Sequence, residues 1–484
     1  MGIFLNFMAP PIFFLVLSFL LIPASTHLQS NEQGYISLLL SDKGIDFAKD
    51  VLIKRAVSSM IPLQLPDIEK HVKIPVLGKV HVVLSNITIN SVIVASSSVE
   101  TGETGIVLVA SGATADLTMN WRYSYKSWIV VISDSGDASV KVKDMEVGLT
   151  VGLKEQDGTL NLSLLDCGCY VKDISIKLDG GASWLYQVVV EAFEGPIGSA
   201  VENAISKKIK EGISKLDSRL QSLPKQVSVD HVSAMNVTFT DKPVLSNSSI
   251  EIDISGLFMA RDKVLIPSYY YKGLRASDSS NCPAKMIGIS LHENVFNTAA
   301  VVYFNAGYMH WTVDRFPNQS LLNTTTWRFI YPQLYKKYPN DEMNLNISLT
   351  SPLVIRIVEN DLNATIYLDV TINVLDADEV IPVACVSLVI SASCSPHILG
   401  NKLAGILKLK NFTVSYNWSN IGDLRMHLLW QVAFAVLETS FLPNVNLRLL
   451  KGLPLPFLHG FTIKNAEIHY TKSKMMICSN LALT

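Results

Sequence analysis

The sequence predicts an α+β protein of two domains, each built from a long curved antiparallel β-sheet wrapped around a long helix. Most of the chain alternates apolar and polar residues with the period of a β-strand. Each half also contains an early and a late stretch of helical periodicity, in the same order. The chain of 484 residues exceeds one ordinary hydrophobic core, so two or more domains are expected.

The predicted strands are rich in Val, Ile and Thr and are separated by turn-forming Gly, Asp, Ser and Asn. The alternation is clear in "VLGKVHVVLSNITINSVIV". Five stretches show it: 76–94, 105–120, 128–151, 160–178 and 251–258. Strands of this length are long for a compact sandwich, which favours a long curved sheet.

Two helices are predicted in the first half. Ser41–Met60 places five apolar residues on one face, and Ser183–Leu223 carries a longer apolar stripe that Pro196 is expected to interrupt. In the second half, the helix candidates are Asn294–Thr312 and Leu428–Leu450. The two halves share little sequence identity, so the repeat is one of architecture.

The N-terminus has the pattern of a targeting segment. The apolar run "PPIFFLVLSFLLI" is shorter than the roughly 20 residues that span a bilayer, and the small residues of "PAST" follow it. A cleaved signal peptide is predicted over residues 1–26, with a signal anchor as the alternative. The mature chain contains no second long apolar run, so we expect a soluble secreted protein with domains at 31–240 and 241–484.

Composition limits the classes of partner. The chain is 49% hydrophobic and only 17% charged, an apolar excess that would suit cavities as well as cores. The net charge of −2 provides no overall field for nucleic acid, so any electrostatic recognition must use a local patch.

Asn-x-Ser/Thr sequons are numerous for a chain with a signal peptide and predict a glycoprotein with these sites at the surface. They are Asn86, Asn161, Asn236, Asn247, Asn318, Asn323, Asn346, Asn363, Asn411 and Asn417. The six cysteines are too few for a disulfide scaffold, and their spacing does not decide their pairing.

Several segments resemble the family of bactericidal/permeability-increasing protein and lipopolysaccharide-binding protein, in order over essentially the whole mature chain. The opening "GYISLLLSDKGIDFAKDVL" and "FNTAAVVYFNAGYMHWTV" are similar to the starts of that family's two domains. "KKYPNDEMNLNISLTSPL" and "NFTVSYNWSNIG" continue the similarity, and "LPNVNLRLLKGLPLP" is its most specific segment. The chain looks most similar to plant members.

The resemblance implies an elongated boomerang of two β-barrels, each wrapped around a long helix and joined by a central β-sheet. It also implies an apolar pocket for lipid acyl chains in each barrel. The family's disulfide between a strand and the long helix of the first domain is not expected here, because Ser183–Leu223 contains no cysteine. Cys167 and Cys169 are left to pair with each other under strain or to stay free.

The stretch "MNWRYSYKSWIVV" is predicted to form a hairpin with a turn at Ser124–Ser127. In one interpretation, its aromatic residues are core and cross-strand pairs. In the other, Trp121, Tyr123 and Tyr125 contact lipid at a membrane interface, while Arg122 and Lys126 bind phosphate.

The resemblance favours the second interpretation, because the animal proteins carry basic loops at the far end of the first barrel that contact lipopolysaccharide. The segment "IEKHVKIPVLGKV" matches another such loop and contributes Lys70, Lys73 and Lys79, with His71 as a pH-dependent addition. The expected headgroup site is therefore Lys70, Lys73, Lys79, Arg122 and Lys126. Five cations favour recognition over killing of bacteria.

The resulting hypothesis is a secreted, non-enzymatic protein of innate defence that binds lipopolysaccharide and makes peripheral contact with bacterial membranes. The alternative is a carrier of phospholipid or an apolar metabolite without microbial recognition. A hydrolase is not favoured, because the chain has neither a G-x-S-x-G elbow nor an H-E-x-x-H motif. No cofactor, metal or nucleic acid is expected.

Overall fold

A computed structural model describes residues 34–74, 78–126, 131–179, 183–261, 282, 284–314, 322–329, 331–377, 379–455 and 460–483, without side chains for 183–187 and 454. The predicted signal peptide lies outside these residues. The chain divides into two compact units. We call Leu40–Leu223 with Lys242–Glu251 the N-terminal unit, and residues 34–39, Pro224–Asp241 and 252–483 the C-terminal unit. The predicted domain limits at residue 240 stay a prediction.

The elements up to residue 223 include two helices. They are β1 (Ile36–Ser41), α1 (Asp42–Met60), β2 (Leu63–Gln64), β3 (Ile68–Ile74), β4 (Gly78–Ile93), β5 (Ser96–Gly102), β6 (Gly105–Lys126), β7 (Val131–Gln156), β8 (Thr159–Tyr170), β9 (Asp173–Asp179) and α2 (Ser183–Gln221).

The elements beyond residue 223 include a longer series of strands. They are β10 (Gln226–Ser228), β11 (Ser233–Asn236), β12 (Val244–Ser246), β13 (Ser249–Ile254), β14 (Phe258–Ala260), β15 (Ile287–His292), α3 (Glu293–Asn305), β16 (His310–Val313), α4 (Thr324–Trp327), α5 (Pro332–Lys337), β17 (Glu342–Leu349), β18 (Val354–Val358), β19 (Asp361–Asp376), β20 (Glu379–Leu399), β21 (Lys402–Ser419), α6 (Met426–Val436), α7 (Leu442–Leu449), β22 (Leu453–Pro454), β23 (Phe461–Thr471) and β24 (Lys474–Leu483).

The sheet of the N-terminal unit has the order β2-β4-β6-β7-β8, with β3 paired to β4, β5 to β6 and β9 to β7. Its paired strands are antiparallel. One face carries the buried apolar residues of each strand, and these pack with the buried stripe of α2 in one core cluster. The predicted α+β architecture, with a sheet around a long helix, is confirmed for this unit.

Helix α2 is continuous through Pro196, so the predicted interruption was wrong. Proline removes one backbone donor, but the apolar stripe remains in register on both sides of it. Phe193, Ile197 and Val201 are all essentially inaccessible to solvent. Burial of this stripe outweighs the cost of a proline in a helix interior, which is about 3 kcal/mol.

Three predicted boundaries differ from the structure. The stretch 160–178 forms two strands, β8 and β9, and β6 continues to Lys126 beyond the expected start of the turn. The helix expected over Asn294–Thr312 ends at Asn305, because Gly307 follows in the left-handed region (φ 74°). The residues from His310 then form β16.

Two carboxylates of α2 bind backbone N–H groups of or just after β8. Asp217 accepts hydrogen bonds from Leu162 N at 2.8 Å and Asn161 Nδ2 at 3.2 Å. Glu202 accepts one from Val171 N at 2.8 Å. These bonds tie the strand to the helix, the connection that a disulfide makes in the family that the sequence resembles.

The C-terminal unit repeats the plan. Its sheet has the order β16-β17-β19-β20-β21-β22, with β18 paired to β19. Helix α6, a π-helical segment Leu437–Phe441 and α7 follow one another, so the predicted helix over Leu428–Leu450 is confirmed. Their buried face packs against the sheet in a second core cluster.

Strands β1, β15, β24 and β23 are consecutive neighbours in another sheet. Cys282 forms a disulfide with Cys478 of β24. The other four cysteines, Cys167, Cys169, Cys385 and Cys394, are free. Cys167 and Cys169 therefore do not pair, which agrees with the second of the two expected outcomes.

Loss of the Asp217 carboxylate is expected to loosen the N-terminal unit. Asp217→Ala leaves the buried N–H of Leu162 without its acceptor, which should lower the free energy of unfolding by about 1–3 kcal/mol. Denaturant unfolding measures this effect. Glu211→Ala on the same helix removes an acid whose ion pair with Lys208 is partly exposed, and it serves as the control. Equal stability of both variants and wild type would contradict a structural role for Asp217.

Stability of the C-terminal unit should fall in mild acid because of His292. This residue is the N-cap of α3, where its Nδ1 accepts a hydrogen bond from Asn294 N at 3.1 Å. Burial lowers the pKa of His292 below its ordinary value of 6.5. The unfolded chain therefore binds a proton more readily, so this contribution to stability is complete above pH 6.5 and is lost as the pH falls through the lowered pKa.

His292→Asn retains a capping acceptor but does not titrate. We expect its unfolding free energy to decline less steeply below about pH 6.5 than that of wild type, as measured by denaturant unfolding across pH. His310→Asn, at an exposed position, is the control and should keep the wild-type profile. An unchanged pH profile in His292→Asn would rule out this origin.

Candidate functional site

The aromatic side chains of the predicted hairpin lie inside the N-terminal unit. Trp121 is 4% exposed and Tyr123 is 8% exposed. Tyr125 is partly buried and packs against the same core. The Trp121 indole also donates a hydrogen bond from Nε1 to Asp137 O at 3.1 Å. These contacts support the core interpretation. The predicted contact of the three aromatic side chains with lipid stays a prediction. Such a contact would have to be made from the inner face of the sheet.

Because side chains alternate along a strand, Arg122 points away from this core. Val83 is its cross-strand neighbour on β4, and Ser135 is its neighbour on β7. Arg122 and Lys126 are both exposed. The predicted turn residue Ser127 and Trp128 lie outside the described residues.

Lys73 and Lys79 lie directly opposite each other on β3 and β4, and both are exposed. His81 of β4 pairs with Ser124 of β6, and extending this register by two residues brings Lys79 opposite Lys126. Four of the five predicted cations therefore share the outer face at one end of the sheet. We call Lys73, Lys79, Arg122 and Lys126 the basic face.

Lys70 does not belong to this group. Because side chains alternate along β3, Lys70 points to the face opposite that of His71 and Lys73. This is the inner side of the sheet, where Val82 is its cross-strand partner. Its Nζ donates a hydrogen bond to Ala192 O of α2 at 2.9 Å. Lys70 therefore links strand β3 to helix α2.

Sequence reasoning missed three residues at this end of the sheet. His81 lies beside His71, with ring centroids 4.8 Å apart. Val131, opposite Lys126 on the outer face, is 65% exposed, and Ile132, opposite Tyr125 on the inner side of the sheet, is 44% exposed. Alternation alone assigns such apolar residues to a core, so no sequence signal marked them as exposed.

The basic face keeps its charge largely uncompensated. Within the described parts of the chain, none of its four cations forms an ion pair. Glu69, on the same outer face of β3, lies 3.5 Å from His81 Nε2. Four cations and one carboxylate give a local charge of +3 with neutral histidines. A protein of net charge −2 thus presents a positive patch.

The predicted glycosylation sites that the structure describes all have some exposure. Asn86, Asn247, Asn346, Asn411 and Asn417 are exposed, and Asn161, Asn236, Asn323 and Asn363 are half-buried. Asn318 lies outside the described residues. Asn161 uses its amide nitrogen to bind Asp217, so a glycan there would compete with the strand–helix connection. Glycosylation itself stays a prediction.

An apolar cavity lies between the helical segment and the sheet of the C-terminal unit. Among its lining residues are Leu429, Val432 and Ala433 of α6 and Leu345 and Leu388 of the sheet. Its volume is about 40 Å³, whereas sites for small-molecule ligands occupy on the order of 300–1,000 Å³. An acyl chain can enter only if the lining side chains or the helix move apart.

The outer face of this helix is also apolar. Trp430 and Phe434 are each 43% exposed and stack on each other at 5.7 Å. Met426–Leu449 is long and apolar enough to cross a membrane by length and composition alone, and 28% of its most apolar window is buried. The helix therefore separates an apolar cavity from an exposed aromatic surface.

The described residues offer little for catalysis. Burial raises the pKa of the Cys169 thiol to about 12 and that of Cys394 to about 11, which keeps both protonated and weakly nucleophilic. In the part of the chain that the structure describes, no group of three or more His, Cys, Asp or Glu could hold a metal ion.

Two units that each wrap an antiparallel sheet around a helix, with an apolar cavity in one and a basic outer face in the other, define a class of lipid-binding proteins. The chain belongs to the LBP/BPI/CETP family. The family's N-terminal domain matches residues 44–216, and its C-terminal domain matches residues 227–483. The resemblance found in the sequence is thereby confirmed.

Relatives extend over nearly the whole chain. A BPI/LBP family protein of Arabidopsis thaliana is 51% identical over 97% of this chain and 96% of its own length. Bactericidal permeability-increasing protein of Sebastes schlegelii is 26% identical, covering 93% and 95% of the two chains. Human lipopolysaccharide-binding protein is 23% identical, covering 91% and 92%.

A solved structure shares the fold. The crystal structure of a lipopolysaccharide-binding protein matches with a TM-score of 0.65 and 20% identity, covering 93% of this chain and 99% of that one. At this identity the match establishes the α+β two-domain fold, as the sequence predicted.

Filling the C-terminal cavity should block acyl-chain uptake. Ala433→Leu adds three carbon atoms to a lining position and should lower binding of a fluorescent acyl-chain probe several-fold, at a stability cost of about 1–3 kcal/mol. Ala435→Leu, on the same helix but not lining the cavity, is the matched control. Equal probe binding by the two variants would show that acyl chains do not use this cavity.

Proposed function

We propose that the protein is a secreted, non-enzymatic lipid-binding protein that recognises lipopolysaccharide or a related anionic amphiphile in a defence response. The basic face would bind the anionic headgroup, and apolar pockets would hold the acyl chains. The observation that carries the proposal is the set of four cations without ion pairs among the described residues, beside the exposed Val131 on the same face.

Cations and exposed apolar side chains together suit an amphiphile better than a soluble anion. The lysines and the arginine would pair with phosphate oxygens, and Arg122 has the planar fork for two parallel hydrogen bonds. Val131 would be removed from water by adjacent acyl chains, at roughly 25 cal/mol per Å² of apolar surface buried. The names of the animal relatives point to the same class of ligand.

Secretion is supported by the N-terminal pattern and by the Cys282–Cys478 disulfide, because disulfides persist in oxidising compartments. The sequons at exposed positions are consistent with passage through the secretory pathway. Contact with bacterial membranes would be peripheral and would use the basic face and its apolar neighbours.

A second candidate function is that of a carrier for phospholipid or an apolar metabolite, without recognition of microbes. The apolar cavity of the C-terminal unit favours it, since that cavity is lined by hydrophobic residues alone and has no cation to select a headgroup. In this case the basic face would be a solvated surface.

Equilibrium binding of the glycosylated protein to lipopolysaccharide tests the first function. A Lys73→Ala/Lys79→Ala/Arg122→Ala/Lys126→Ala variant should bind roughly 30- to 1,000-fold more weakly, if each exposed ion pair contributes on the order of 0.5–1 kcal/mol. Wild-type affinity should also fall as the salt concentration increases, because salt screens exposed charges.

The control removes the same charge from four exposed lysines of the C-terminal unit: Lys336, Lys402, Lys408 and Lys451. It should bind as wild type does. Binding that is unaffected by the basic-face substitutions would place the headgroup elsewhere. Absence of wild-type binding, combined with phospholipid uptake, would establish the carrier function instead.

A further inference from the structure

Two histidines lie side by side in the middle of the basic face. His71 of β3 is directly opposite His81 of β4, and their rings are stacked with an interplanar angle of 27°. His71 is exposed and the side chain of His81 is 36% exposed, so both can meet a ligand from solvent. Neither is needed to fill the core, which lies on the opposite side of the sheet.

The charged groups around the pair are mainly cations. Lys73 and Lys79 form the neighbouring cross-strand pair toward the end of the sheet. On the other side, Arg122 of β6 and Glu69 of β3 lie opposite Val83 of β4. Lys126 is aligned with Lys79 by the register described above.

Acidic residues of β7 lie farther from the histidines. Asp137 pairs with Asn120, which lies two residues from Arg122 along β6, in the direction away from the histidines. Asp137 also accepts a hydrogen bond from the Asn120 amide. Asp134 pairs with the inward-facing Tyr123. Glu69 is thus the carboxylate that directly contacts the pair, through His81.

We propose that His71 and His81 complete, with Lys73 and Lys79, an anion site that binds phosphate oxygens together with protons, so that its affinity increases as the pH falls. The inference rests on the function proposed for the basic face and adds two ligating residues and a condition for binding. The shared chemistry is that of a phosphate group, whether it belongs to a lipid headgroup or is free in solution.

The physical reason is mutual repulsion. Histidine is the side chain whose charge ordinarily changes between about pH 5 and 8. Protonation of both rings changes the local charge from +3 to +5, with two positive rings 4.8 Å apart and two lysines beside them. An anion lying across the pair relieves this repulsion and accepts hydrogen bonds from both imidazolium rings. Anion and proton binding must therefore favour each other by the same factor.

The test is binding to phosphatidylcholine vesicles that contain phosphatidylglycerol, whose charge is constant over the pH range, at about pH 7.5 and about pH 5.5 and constant ionic strength. Wild-type affinity should increase about tenfold at the lower pH, since each added basic charge near an anionic surface strengthens binding several-fold. A His71→Gln/His81→Gln variant should lose the increase, so that its affinities at the two pH values are similar. A His310→Gln/His427→Gln variant, altered at exposed positions of the C-terminal unit, should keep it.

The outcomes distinguish the proposed role of the histidines from the proposed binding of headgroups by the basic face. An increase of the same size in His71→Gln/His81→Gln would overturn the inference, while loss of binding in the basic-face variant at the higher pH would still support the headgroup function. Failure of wild type to bind at either pH would overturn both. Inorganic phosphate as competitor identifies the source of the anion. If phosphate reduces vesicle binding only at the lower pH, and only when the histidines are present, the result supports a site for free phosphate. If the histidine-dependent increase in vesicle affinity is not reduced by phosphate, the result supports a headgroup site.

Discussion

The apolar contact between α2 and the inner face of the N-terminal sheet is the constraint on which the rest of that unit depends. Once one face of a sheet is buried, the two-residue period of each strand assigns every other side chain to solvent. Trp121 and Tyr123 are thereby committed to the core, and Arg122 between them is committed to the outer face. Structure and candidate function thus share a single strand without competing for the same side chains.

The same constraint has a polar consequence. A sheet that closes over a helix brings strand N–H groups near the helix surface, where they need acceptors. Asp217 and Glu202 supply these acceptors. Helix α2 contains no cysteine that could join it to a strand, and carboxylate hydrogen bonds connect these two elements. Lys70 adds a further link by binding a backbone carbonyl of α2.

In the C-terminal unit, the contact between helix and sheet is less complete. The cavity beneath α6 and the π-helical segment is small, yet it is lined entirely by apolar side chains, and the same helix carries Trp430 and Phe434 on its outer surface. A π-helical turn weakens the regular pattern of hydrogen bonds and often occurs at functional positions. The helix therefore has apolar surface on both its inner and its outer side.

Much of the fold was predictable from the sequence because it depends on periodicity. The alternating stretches predicted the strands, and the stripe containing Phe193, Ile197 and Val201 predicted α2. The errors fell at the limits of strands and helices and at Pro196. Pro196 misled the prediction because the cost of one missing hydrogen bond is local, while the stripe that overrides it extends along the whole helix. Gly307 ended α3 early through its backbone conformation, which apolar periodicity does not report.

The candidate site was predictable only in part. The aromatic and basic pattern of the hairpin singled out Arg122 and Lys126, and the family resemblance added Lys73 and Lys79. Their role in binding stays a prediction. Sequence alone could not align β3 with β4 and β4 with β6, because register is decided by which apolar faces pack together. That register places His81 opposite His71, and it places Lys70 on the inner face, where its side chain contacts α2. The sequence by itself determined which charges the chain carries and with what period; the tertiary structure decided which of them meet, because only burial of one face selects the pairing of the strands.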